Sequence, residues 1–260
     1  MGLAEFFYLL GANNILLLSL LGGTICALFN MVGATPVLLF KNVPDRVLNA
    51  CLGFSAGIML GASFTSLIVP GVEIGGLAPV LLGIVLGAVV VTLADQALPH
   101  MHLVMGREGS SSSVIRGIWL FVIAITIHNM PEGLAVGVGF ASGNLRTAEV
   151  LMLAIGLQNV PEGLSVGFSL LATRGYSRRY AYFASVASGF VEPPLALLGA
   201  AAVSMTGSML PYAMGLAAGA MLFVISDEII PETHRKGRER LASYGLIAGL
   251  VVILALDLLL

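Results

Sequence analysis

Apolar residues run through this chain in long unbroken stretches separated by short polar ones. The stretches are too long for strands, show no period-two alternation and are rich in Leu, Ala and Gly. They therefore predict membrane-spanning helices rather than β-structure. Eight spans are expected, at about 13–40, 48–70, 77–98, 117–140, 148–171, 180–206, 210–231 and 241–260. The predicted fold is all-α and integral to the membrane, with residues 1–260 forming one transmembrane domain. Two connections exceed a simple turn: the polar, Ser-rich stretch 99–116, and the charged turn 232–240. No soluble domain is expected, so activity is expected in or beside the bilayer.

Composition sharpens this picture. The chain is 58% hydrophobic and only 10% charged, which excludes an ordinary water-soluble core. A net charge of −2 says little by itself, and no nucleic-acid partner is expected. Cys26 and Cys51 both lie in apolar runs, so neither a disulfide nor a thiolate metal cluster is expected. The start, MGLAEFFYLL, lacks the basic n-region of a signal peptide. Basic residues then set the orientation. With the N-terminus outside, Lys41, Arg46, Arg107, Arg116, Arg174, Arg178, Arg179, Arg235, Lys236, Arg238 and Arg240 all fall inside, leaving Arg146 alone outside. Both termini are therefore expected to be extracytoplasmic, in a cell membrane.

Two of the apolar runs carry polar residues at their middles. One reads Ile127-His128-Asn129-Met130-Pro131-Glu132-Gly133, the other Leu157-Gln158-Asn159-Val160-Pro161-Glu162-Gly163. Positions i, i+3 and i+4 share a helix face, so His128, Asn129 and Glu132 can converge, as can Gln158, Asn159 and Glu162. A charged side chain at the bilayer midplane costs roughly 2.5–3.5 kcal/mol on insertion scales. Two carboxylates there call for a compensating partner, and a cation supplies it. One imidazole, three amide oxygens and two carboxylates suit a borderline dication such as Zn²⁺, Fe²⁺, Mn²⁺ or Co²⁺, with Cd²⁺ a further candidate. Pro131 and Pro161 free the carbonyls of Ile127 and Leu157 beside these side chains. Residues 125–140 and 155–170 match when offset by thirty, and a weaker echo links Gly57–Pro70 to Gly219–Pro231. In the expected topology each matched pair crosses in opposite senses, which predicts an inverted 3+2+3 pseudo-symmetry with the site at the repeat interface.

Further polar residues lie nearby. Glu228 and Glu232 share a face beside Asp227 at the cytoplasmic end of the seventh span, and either glutamate could complete the site or form an exit step. Glu192, in Val191-Glu192-Pro193-Pro194, admits three readings: a protonated acid, a partner for freed backbone on a neighbouring helix, or a pathway group. Met59 reads as a packing methionine with a soft thioether. His100, His102 and His234 lie in cytoplasmic loops, where His100 and His102 could catch a departing ion. The 32 glycines include no phosphate-loop spacing and suit close helix packing.

At these residues the chain resembles the ZIP family of divalent-metal transporters, in its prokaryotic, GufA-like branch. HNMPEG, QNVPEG, SAGIML at 55–60, the VEPP unit and DEIIPETH at 227–234 carry the resemblance, which spans all eight runs. It implies a homodimer and elevator-type alternating access. It also implies a binuclear site: His128, Glu132, Gln158 and Glu162 around one ion, and Asn129, Asn159, Glu162 and Glu228 around the other, with Met59 nearby. Many family members have His where this chain has Gln158, and some have Asp where it has Asn159. The expected function is uptake of a divalent metal, zinc foremost, toward the cytoplasm. The competing readings are an intramembrane metal-dependent hydrolase, for which the HExxH pattern is absent, and a metal channel.

Overall fold

The structure, a computed structural model, describes residues 14–97, 100–102, 106–108, 117–172, 177–234 and 239–260. Its helices are α1 (Ile15–Leu39), α2 (Asp45–Gly75), α3 (Leu77–Ala97), α4 (Gly117–Ala141), α5 (Leu145–Ala172), α6 (Arg178–Met205), α7 (Gly207–Thr233) and α8 (Glu239–Leu259). Among the described residues, seven of these, all but α4, are long and apolar enough to cross a membrane. The protein is thus a multi-pass helical membrane protein. Within the polar 99–116 stretch lies a detail that hydropathy does not reveal. His100–His102 (β1) pairs antiparallel with Gly106–Glu108 (β2) as a small hairpin.

Local chemistry explains the helix ends and irregularities. Asn14 caps α1 by accepting from the Leu17 amide at 3.1 Å, and Ser177 caps α6 by accepting from the Tyr180 amide at 3.2 Å. Helices α4 and α5 pass through Pro131 and Pro161 without interruption. By contrast, α6 breaks at Phe190–Val191 and restarts at Glu192, so Pro193 and Pro194 occupy a new first turn. Two helices contain π-helical segments, Ser63–Ile68 in α2 and Ile225–Ile229 in α7. Each ends just before a proline, Pro70 or Pro231, whose missing amide hydrogen favours the wider turn. Helix α2 therefore continues past Pro70 to Gly75.

The helices form two groups. In one, α1 packs on α5 and α4 on α6; in the other, α2 packs on α8 and α3 on α7. The groups meet along α2–α5 and α4–α7. Most large buried residues, including Met59, Leu151, Ile155 and Met221, form one core at this junction. The outward faces of α3 and α8 remain apolar and exposed, as lipid contact requires.

The turn between α4 and α5 sets the depth of the polar motifs. Gly143 has φ 77°, a left-handed value suited to glycine, and Asn144 accepts from the Thr147 amide at 3.2 Å to start α5. His128 lies thirteen residues before the end of α4, and Gln158 thirteen after the start of α5. At 1.5 Å per residue both stand about 20 Å from the turn. The two motifs therefore face each other at one level.

Candidate metal site

At that level the two helices hold a buried, acidic chamber. Glu132, Gln158 and Asn159 are 0% exposed, Asn129 1%, Glu162 5% and His128 9%, so water neutralises none of their polar groups effectively. His128, Glu132 and Glu162 each present one donor atom, and these atoms lie within 4.8 Å of one another. Gln158 Nε2 donates to Glu132 Oε1. His128 Nε2 lies 3.8 Å from Glu162 Oε2.

The structure separates two residues that sequence reasoning placed differently. Glu228 stands on the histidine side, with its Oε2 3.5 Å from His128 Nδ1. It belongs to the π-helical segment of α7, whose wider turn shifts the side-chain phase expected of a regular helix. Beside Asn159 stands Glu192 instead, fully buried at the first turn of the restarted half of α6. Asn159 Nδ2 donates to Glu192 Oε1 at 2.7 Å and to the Cys26 carbonyl at 3.2 Å. Glu192 is thus joined to α5 through the Asn159 amide, with its Oε2 buried and unpartnered. Its sequence signals were a carboxylate inside an apolar run and the VEPP unit around it.

The chamber is short of donors. Glu132 Oε2, both carboxylate oxygens of Glu162, Glu192 Oε2, Gln158 Oε1 and Asn159 Oδ1 are buried without a hydrogen-bond partner. Buried acceptors normally find partners, because each orphan costs about 1–3 kcal/mol and charged ones more. All six orphans here are oxygens, and a cation satisfies such a set at once. Carboxylate, imidazole and amide oxygen together match a borderline divalent metal, without the thiolates of a permanent structural site.

Glycine and serine hold the surrounding helices close. A Cβ on Gly133 would stand 2.8 Å from Glu192 Cα, so the glycine after Glu132 is what admits α6 and its carboxylate. A Cβ on Gly163 would stand 2.8 Å from Asn30 Oδ1, in the equivalent approach of α1 to α5. Asn129 is anchored to α6, its Nδ2 donating to the Ser188 carbonyl at 3.2 Å. Ser55 on α2 donates to the Gln158 carbonyl at 2.8 Å, which ties the two helix groups together at the site.

The remaining candidates lie elsewhere. Met59 is fully buried in the apolar core of α2. Asp227 is exposed and Glu232 half-buried at the end of α7. The side chains of His100, His102 and His234 lie outside the described residues.

Comparison with known proteins agrees with this chemistry. Residues 100–257 match the family model of the ZIP zinc transporters. The chain is 42% identical over 258 residues to the zinc transporter ZIPB of Bordetella bronchiseptica, covering 92% of this chain and 80% of that one. It is 40% identical over 252 residues to the zinc transporter GufA of Myxococcus xanthus, covering 94% of this chain and 97% of the relative. Human zinc transporter ZIP11 is 36% identical, over 86% of this chain and 92% of its own.

Proposed function

Because the chain belongs to the ZIP zinc-transporter family, we propose that it carries a divalent transition metal, zinc foremost, toward the cytoplasm through the chamber between α4 and α5. The protein is a transporter and not an enzyme. One observation carries the assignment to this chamber: six buried acceptor oxygens stand together without a hydrogen-bond partner. His128, Glu132, Gln158 and Glu162 would hold one ion, with Glu228 at its edge. Asn159 and Glu192, with Glu162 shared, offer a second position, to which Asn129 would add its Oδ1 while its Nδ2 stays on Ser188. Amide oxygens are weak ligands and suit a site that must release its cargo.

In this reading α4 joins the seven apolar helices as an eighth crossing, and both termini face outward. An inverted 3+2+3 relation accounts for the packing. Exchanging α1 with α6, α2 with α7, α3 with α8 and α4 with α5 turns each of the six main helix pairs described above into another of them. The π segments of α2 and α7 are exchanged as well. The four helices α1, α4, α5 and α6 then form the moving unit around the metal, sliding against α2, α3, α7 and α8. A homodimer in the cell membrane, covering part of the exposed apolar faces of α3 and α8, completes the assembly.

The test is zinc uptake into vesicles containing the purified chain. Wild type should give saturable uptake, and Glu132→Ala with Glu162→Ala should abolish it. Full uptake by the double variant would remove the chamber from the pathway, and unitary currents would point to a channel.

A further inference from the structure

A second cavity lies on the opposite side of α5 from the metal chamber. It is an open crevice of about 680 Å³ between α5 and the α2–α8 pair. Cys51, Phe54, Leu157, Val160, Pro161 and Leu164 line it, and Arg46 alone brings charge to it. Arg46 is the second residue of α2 and is exposed. Phe54 lies eight residues deeper, which is about 12 Å along the helix. The crevice thus runs for most of one leaflet's hydrocarbon depth of ~15 Å, with its cation at the membrane surface.

We propose that this crevice binds an anionic phospholipid, with one acyl chain lying along α5 and the phosphate held by Arg46. An apolar slot at membrane depth offers nothing to water and does not stay empty beside lipid tails. The stem of an arginine at a helix end packs on apolar surface while its guanidinium reaches the headgroup layer. Basic residues flanking crevices between helices on the cytoplasmic side select anionic headgroups. Arg46 lies on that side in the orientation proposed above, and so does Arg240 at the start of α8. The lipid sits where the two helix groups meet, directly behind Asn159 and Glu162. On the proposed sliding mechanism it is therefore a movable filler between the groups.

The binding test uses the full chain without metal, so its result is independent of the transport assignment. The protein is placed in phosphatidylcholine nanodiscs with a phosphatidylglycerol carrying a diazirine in its acyl chain, illuminated, and digested. Adducts are expected on the peptides containing Cys51–Phe54 and Leu157–Leu164. Unlabelled phosphatidylglycerol should compete about five-fold better than phosphatidylcholine, the equivalent of about 1 kcal/mol for one basic contact. Arg46→Gln, at an exposed position, should erase that preference while adducts persist. Cys51→Trp should fill the slot and remove them. Equal competition by the two lipids, or adducts mapping elsewhere, would overturn the proposal.

Discussion

Neutralising Glu162 should stabilise the empty protein while weakening its hold on metal, a pair of opposite effects that few other substitutions would produce. The donor atoms of Glu132 and Glu162 lie within 4.8 Å of each other. Two ionised carboxylates at that distance repel by about 3.5 kcal/mol at an effective dielectric of ~20. Glu162→Gln keeps the shape and removes the repulsion, but it weakens the charged contact with His128 Nε2, 3.8 Å away, at about 1–2 kcal/mol. The net gain for the empty protein is about 1.5–2.5 kcal/mol, or roughly 3–10 °C in Tm. Metal binding moves the other way. Zinc at a hundred times its Kd stabilises the wild type by about 2.7 kcal/mol. Even residues that only support a metal ligand cost 10–100-fold when replaced, so a direct ligand should cost about a hundred-fold. The same zinc concentration then yields only about 0.4 kcal/mol. Thermal unfolding of purified protein, with and without zinc, reads both effects. An empty Glu162→Gln protein that melts lower than wild type, together with an unchanged zinc shift, would refute the electrostatic account of the chamber.

Other outcomes follow from single contacts. Asn159→Asp replaces the donor that reaches Glu192 Oε1 with a second carboxylate; the empty protein should lose about 2 kcal/mol while zinc affinity measured by titration calorimetry rises. Gly133→Ala pushes against the backbone at Glu192 and should cost about 1–3 kcal/mol, with zinc affinity falling as the carboxylate retreats. Ser55→Ala cuts the hydrogen bond from α2 to the Gln158 carbonyl; a loss of about 1 kcal/mol in thermal unfolding should accompany a changed uptake rate, since the bond joins the two helix groups. Imidazole and carboxylates bind metal only when deprotonated, so zinc affinity should fall as pH drops, in a titration repeated at successive pH values.

What the chain determines alone follows from the solvent it is built for. A bilayer demands helices of about 20 apolar residues, so the spans are legible as runs, and any polar group inside them stands out by its cost. His128, Glu132, Gln158 and Glu162 were visible for that reason. Their common level was also implicit, because one short turn places both motifs thirteen residues from it. Tertiary structure decided which distant carboxylate serves which neighbour. Glu228 meets His128 because a π-helical segment shifts the side-chain phase of α7, and Glu192 meets Asn159 because Gly133 lets α6 approach closely. Hydropathy carries neither fact, since a helix facing lipid and a helix facing another helix use the same apolar residues. Partner choice and side-chain phase depend on packing shape, and shape exists only once the helices are assembled.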